Sequence, residues 1–235
     1  MSKNKKNKGL LYEELIHQKC NELGLLDKAE NGTAGSDNTS PDIVLSLRGQ
    51  KVPVELKLNS RARFGSTSMS YDEEGFTLDS SSAIPSDDLV ISRFAKKESI
   101  FDNVLRYFGS DSITFRTTKA KWNEAVEEGI IREARVKFSH YEALVNKFYL
   151  AKGVNYLQCG ESGLYHLDED FLGLGTTKFN ALTTIEGGLE RGGSRLNANK
   201  ERICYVQIRL TLRIKDLVKS KVSLDDTEFL KSLAI

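Results

Sequence analysis

Leu11, Tyr12, Leu15, Ile16, Cys20 and Leu23 recur at three- and four-residue spacing, which predicts an amphipathic helix over 10–23 with Gly24 placed to end it. The period then changes to two. Ile43, Leu45 and Leu47 alternate with less apolar neighbours, and Val52, Val54, Leu56 and Leu58 do the same, so 43–47 and 51–58 read as short strands. A turn at Asp72–Gly75 predicts a hairpin between Ser66–Tyr71 and Phe76–Leu78. A second hairpin is expected from Tyr156–Cys159 and Leu164–Leu167 around Gly-Glu-Ser-Gly. Helices are predicted over 119–128 and 140–152, the second capped by Ser139. The longest alternation, 203–214, sends Val206, Ile208, Leu210, Leu212 and Ile214 to a core, with Gln207, Arg209, Thr211 and Arg213 opposite. Runs rich in turn-forming residues at 31–40, 80–88 and 186–194 read as loops, the 80–88 run as a mobile one. The pattern is mixed α/β, closer to one elaborated domain than to two.

Composition narrows the class. The 235 residues carry 34 Lys+Arg and 33 Asp+Glu, with 39% hydrophobic residues, as in an ordinary folded protein. No apolar run approaches the roughly 18 residues that cross a bilayer, and no hydrophobic stretch follows the N-terminal lysines as in a secretory signal. Cys20, Cys159 and Cys204 are odd in number and far apart, which argues against a disulfide framework or structural zinc and for a cytoplasmic location. The formal charge of +1 hides a segregation of charge. Lys3, Lys5, Lys6 and Lys8 form a basic tail over 1–8. Asp72, Glu73, Glu74, Asp79, Asp87 and Asp88 form an acidic stretch, while between Arg191 and Lys221 only Glu201 and Asp216 oppose nine basic residues.

The chemistry lies in Pro41-Asp42 and Glu55-Leu56-Lys57. A two-residue Gly49-Gln50 loop of type II′ would join the two apolar strand faces, pairing Leu47 with Val52 and Leu45 with Val54. That register sets Asp42 across from Lys57 with Glu55 on the diagonal, and Pro53 opposite Ser46. Two carboxylates and a lysine converging in this way suit a hard divalent cation such as Mg²⁺, which takes oxygen ligands and keeps several waters. The lysine can orient or deprotonate a water, or stabilise developing charge. The competing reading is a cross-strand salt bridge on a solvated face, worth under about 1 kcal/mol.

These residues resemble the PD-(D/E)XK nuclease superfamily, and 9–60 is similar to its archaeal Holliday-junction-resolvase-type branch. The resemblance implies a restriction-endonuclease-like α/β fold, a central mixed β-sheet flanked by helices, with the 119–235 half as an α+β elaboration on a 9–118 nuclease core. It also implies Mg²⁺-dependent hydrolysis of DNA, with Mn²⁺ as a substitute. Asp42, Glu55 and the Leu56 carbonyl would bind metal, Lys57 would act on the attacking water, and a carboxylate on the first helix would be an outer or second-metal ligand. Glu13 lies at the shoulder of that helix's apolar stripe and Glu14 points away, which favours Glu13.

Arg61, Arg63 and Ser66 follow Lys57 closely and read either as holders of substrate phosphates or as a solvated loop. Arg191, Arg195, Arg209 and Arg213 read either as a phosphate-contacting face or as charged edge protection. His17, His140 and His166 lack ligand spacing, and Leu172-Gly-Leu-Gly-Thr-Thr-Lys lacks that of a nucleotide-binding loop, so no nucleotide cofactor is expected. Tyr141, Phe148, Tyr149 and Tyr156 read as core. The expected partner is duplex or branched DNA, with a homodimer expected where both strands are cut. A second functional class stays open: a non-catalytic nucleic-acid-binding or assembly module on a nuclease-like scaffold.

Overall fold

The computed structural model describes residues 7–27, 29, 40–78, 88–140 and 144–234, without the side chains at 88, 89, 140 and 194. Lys3, Lys5, Lys6, residues 31–39 of the expected 31–40 loop, Asp79, residues 80–87 of the expected 80–88 loop, and Tyr141 lie outside the described residues. The elements begin with α1 (Lys8–Glu22), β1 (Ile43–Leu47), β2 (Gln50–Lys57), β3 (Gly65–Asp72) and β4 (Gly75–Leu78). Then come α2 (Asp88–Ala95), α3 (Glu98–Phe108), β5 (Thr114–Thr118), α4 (Lys119–Glu127), α5 (Ile130–Glu133) and β6 (Arg135–His140). The chain continues with α6 (Leu144–Ala151), β7 (Tyr156–Cys159), β8 (Gly163–His166), β9 (Thr177–Lys178), β10 (Leu182–Leu196), β11 (Arg202–Lys215) and α7 (Thr227–Leu233). Among the described residues no helix is long and apolar enough to cross a membrane.

These elements form two compact units whose segments interleave along the chain. The first comprises Met1–Phe64, Tyr141–Thr183 and Arg213–Ile235, the second Gly65–His140 and Thr184–Leu212. The interleaving follows from strand pairing, since β2 pairs with β7, which lies in the chain between the second unit's two segments.

In the first unit a mixed sheet runs β1-β2-β7-β8-β9. β1 and β2 are antiparallel, β2 and β7 parallel, and β7 and β8 antiparallel, the last as expected from sequence. α1 lays Tyr12, Ile16 and Cys20 onto the apolar face made by Ile43, Leu45, Leu47, Val52, Val54 and Leu56, with Leu224 and Leu230 completing the cluster. The buried stripe is narrower than the alternation suggested, since Leu11 and Leu15 are exposed. Asn7 caps α1 by accepting the Gly9 N–H at 3.1 Å, so residues 7 and 8 belong to the helix rather than to the tail. At the other end Gly24 and Leu25 donate back to the Asn21 and Cys20 carbonyls, the reciprocal pattern of a Schellman cap.

The second unit is a six-stranded antiparallel sheet, β4-β3-β11-β10-β6, with β5 also pairing β11. As the alternation required, Val206, Ile208, Leu210 and Leu212 of β11 are buried here, as are Phe94, Phe101 and Val104 of α2 and α3, and Ile214 of β11 is buried in the first unit. Two expectations are corrected here. The glycine-rich run 186–194 is strand, part of β10, because glycine gives room: a Cβ on Gly187 would strike the Phe94 ring. Ser139 and His140 end strand β6 and cap no helix, and the helix described after them is α6, Leu144–Ala151.

Candidate active site

The geometry of the site follows from the β1–β2 turn. The connecting residues are Arg48 and Gly49, both left-handed at φ 51° and 75°, which is a type I′ turn and not the Gly49-Gln50 type II′ turn expected. The ladder is accordingly Leu47↔Gln50, Leu45↔Val52 and Ile43↔Val54, two residues away from the expected register. A shift of two keeps every side chain on its face, so the apolar stripe and the carboxylates stay where the alternation put them. It changes their neighbours. One step beyond Ile43↔Val54, Asp42 falls opposite Glu55 rather than opposite Lys57.

Pro53 pairs with Val44 instead of Ser46. The alternation of a two-residue hairpin makes this a non-hydrogen-bonded pair, so the missing donor points toward β7. Pairing with β7 begins only at Val54↔Tyr156, and no bulge re-aims Glu55 and Lys57.

Asp42 Oδ2 accepts the Leu56 N–H at 2.7 Å and lies 3.9 Å from Lys57 Nζ. Lys57 is bonded to Glu55, and its ammonium sits 5.7 Å from the centre of the Tyr149 ring. Leu56 directs its N–H and its carbonyl to the same edge of β2, the edge Asp42 occupies. The Glu55 side chain is 7% exposed, while those of Asp42 and Lys57 retain 19% and 15%, so the cluster opens on the Asp42 side.

Three carboxylates share one ammonium. Burial pushes the Asp42 carboxyl up to about 7, Glu55 adds to the rise, and Lys57 and the Leu56 N–H oppose it. Glu13, half-buried on α1, is raised by burial and by Glu55 against the pull of Lys57, so it enters the charge balance of the cluster. Burial alone would lower Lys57, but Glu55, Asp42 and Glu13 outweigh it and hold the lysine above its usual value. The Tyr149 hydroxyl is raised first by burial and then by Glu55 and Asp42.

An acid driven toward neutrality by burial and by a facing carboxylate is a place where a cation would be welcome. Among the described residues no group of three or more His, Cys, Asp or Glu side chains is placed to hold a metal. The available donors are Asp42, Glu55 and the Leu56 carbonyl. Such an incomplete oxygen set fits Mg²⁺, which retains waters, better than Zn²⁺ or Ca²⁺.

The expected DNA-contacting residues divide between the two units. Arg61, Arg63 and Arg213 belong to the first unit, where Arg213 Nη1 donates to the Arg61 carbonyl at 2.6 Å. Ser66, Arg191, Arg195 and Arg209 belong to the second unit. Arg209 there donates to the Ser66 and Ser68 hydroxyls, both at 3.1 Å, and its buried Nε has no partner. Arg191 and Arg195 are exposed on β10.

Two residues escaped the sequence reading as parts of the site. Tyr149 read as core, yet its hydroxyl engages Glu55; the signal was the need of a buried phenol for a polar partner. Gln158 pairs with Leu56 in the β2–β7 ladder and is fully buried. Its amide donates to the Gly160 carbonyl, the Ser223 hydroxyl and Asp225 at 3.0, 2.9 and 3.3 Å, and it accepts the Leu224 N–H at 2.9 Å. No pattern in the sequence marks it. Comparison of the chain with protein-family models, curated proteins and solved structures finds no match.

Proposed function

We propose that this chain is a metal-dependent endonuclease of PD-(D/E)XK type that hydrolyses DNA phosphodiester bonds. The observation that carries the reading is the apposition of Asp42 and Glu55 across β1 and β2, with Lys57 bonded to Glu55 and Glu13 coupled to both from α1. The mixed sheet with helices packed on it is in keeping with a restriction-endonuclease-like core.

Asp42, Glu55 and the Leu56 carbonyl would hold Mg²⁺, with Glu13 outside them. When bound, Mg²⁺ supplies Lewis acidity and a more acidic water. The Leu56 N–H fixes the Asp42 carboxylate, so its second oxygen is aimed without a rotamer search. Lys57, held charged by its carboxylates, donates hydrogen bonds to the incoming water and to the phosphate oxygens as negative charge builds there. Tyr149 and the strands around Glu55 exclude bulk water from the inner side, which strengthens these interactions.

The closure of Lys57 onto both carboxylates favours a second reading, a nucleic-acid-binding module in which the triad is a salt bridge. One assay separates the two. Purified protein is incubated with linear, nicked, branched and single-stranded DNA in Mg²⁺ or Mn²⁺. The nuclease reading predicts cleavage that Asp42→Ala and Lys57→Ala each reduce by at least about a hundredfold while DNA binding stays measurable. Full cleavage by either variant overturns the assignment, and binding without cleavage on every substrate establishes the module.

A further inference from the structure

We propose that a groove in the first unit, bordered by Lys8, Arg61, Lys219 and Lys221, is the track on which the phosphate backbone of a nucleic-acid strand lies; the choice of ligand rests on the nuclease reading above. The groove has a volume of about 1250 Å³. It adjoins the candidate site along the chain, since its Leu58–Arg61 wall follows Lys57 and its Tyr12 precedes Glu13.

The four cations stand on fixed backbone. Arg61 sits in a turn where its N–H donates to Asn59 Oδ1 at 2.9 Å and its carbonyl accepts from Arg213. Lys8 opens α1, directly after the Asn7 cap. The segment carrying Lys219 and Lys221 is strapped along β8: Ser220 N donates to the Ser162 carbonyl at 2.8 Å, and Leu164 N to the Val222 carbonyl at 2.7 Å. The Tyr165 hydroxyl donates to the Val218 carbonyl at 2.7 Å, holding the same segment. Ser220 is buried between two exposed lysines, so both point outward. Two residues of extended chain separate them by about 7 Å, a step suited to successive phosphates of one strand.

Among the described residues none of these four side chains has an ion-pair or hydrogen-bond partner, unlike Lys51, Lys57, Lys137 and Lys231. The acids on the groove are Glu161, Asp225 and Asp226. Asp225 already accepts from Tyr12 at 3.1 Å and from Gln158, and Asp226 caps α7 through the Glu228 and Phe229 N–H groups. Two of the three acids are thus committed to the protein and the cations are not. An unpaired, preorganised row of ammonium and guanidinium groups is what backbone contact needs, and it carries no base information.

The test measures duplex and single-stranded DNA affinity of the full chain across a salt series with Ca²⁺ in place of Mg²⁺, for wild type and Lys219→Gln/Lys221→Gln. The double variant should weaken binding equally for unrelated sequences and lower the salt slope by about 2, at unchanged melting temperature. An unchanged slope, or a wild type that binds no DNA, overturns the groove. Weakened binding by the variant with no Mg²⁺-dependent cleavage by wild type keeps the groove and removes the nuclease reading. Unchanged binding with full cleavage does the reverse.

Discussion

Replacing Asp42 by asparagine should stabilise the metal-free protein at alkaline pH, although it removes a residue the site depends on. The amide keeps an oxygen for the Leu56 N–H and so preserves the local bond. What it removes is a buried negative charge facing Glu55. Burial and Glu55 raise the Asp42 carboxyl from 3.8 to about 7, whereas in the unfolded chain it titrates near its ordinary value. Between those two pH values the folded state binds the proton and the unfolded state does not, so stability falls as pH rises from about 4 to about 7 and then levels. Each tenfold gain in proton affinity on folding corresponds to about 1.4 kcal/mol, which sets a ceiling of about 4 kcal/mol on the cost at pH 8. Relaxation and water access around a partly exposed group bring the cost to about half of that ceiling. A chain of this size gains about 2–4 °C per kcal/mol, so Asp42→Asn should melt about 4–8 °C above wild type at pH 8 in chelator. At pH 4 the two should coincide. The assay is thermal or urea denaturation across this pH range. A variant no more stable than wild type at pH 8, or one whose advantage is the same at every pH, would refute the electrostatic account.

Two further predictions concern the scaffold. Gly187→Val drives a side chain into Phe94 and Leu210 and should destabilise the protein by about 1–3 kcal/mol, read by denaturation; an unchanged midpoint would show that β10 is not seated on that ring. Gln158→Leu strips the donors from the Gly160 carbonyl, Ser223 and Asp225 and leaves the Leu224 N–H without an acceptor. It should cost about 3 kcal/mol or more and speed amide exchange selectively in 218–226, and uniform exchange across the chain would contradict its role as the anchor of that segment.

The face of each strand was readable because alternation is a local property: Leu45, Val54 and Leu56 are buried where period two puts them. Register was not, because it hangs on Arg48 adopting a left-handed conformation that its side chain does not favour. The difference is harmless to the faces and decisive for the pairing of Asp42 with Glu55. Gly187 misled in the opposite sense, since glycine signals a turn in sequence but here makes space for Phe94 within a strand. Helix α3 carries Phe101, Val104, Leu105 and Phe108 at helical spacing and was legible in principle. The interleaved units were not, because the pairing of β2 with β7 links segments separated by Gly65–His140, the longer of the second unit's two segments, and composition records no such contact. For the same reason the DNA-contacting set drawn from sequence divides between two units, while Lys219 and Lys221 converge with Arg61 on one groove.

The proposed chemistry turns on whether Asp42 and Glu55 hold a divalent cation. Crystals soaked in Mn²⁺ and measured at the manganese edge give the direct answer. An anomalous peak bounded by Asp42, Glu55 and the Leu56 carbonyl, lost in Asp42→Asn, is the predicted result. No peak there, with Lys57 still bonded to Glu55 and ion-paired with Asp42 at saturating Mn²⁺, would contradict it.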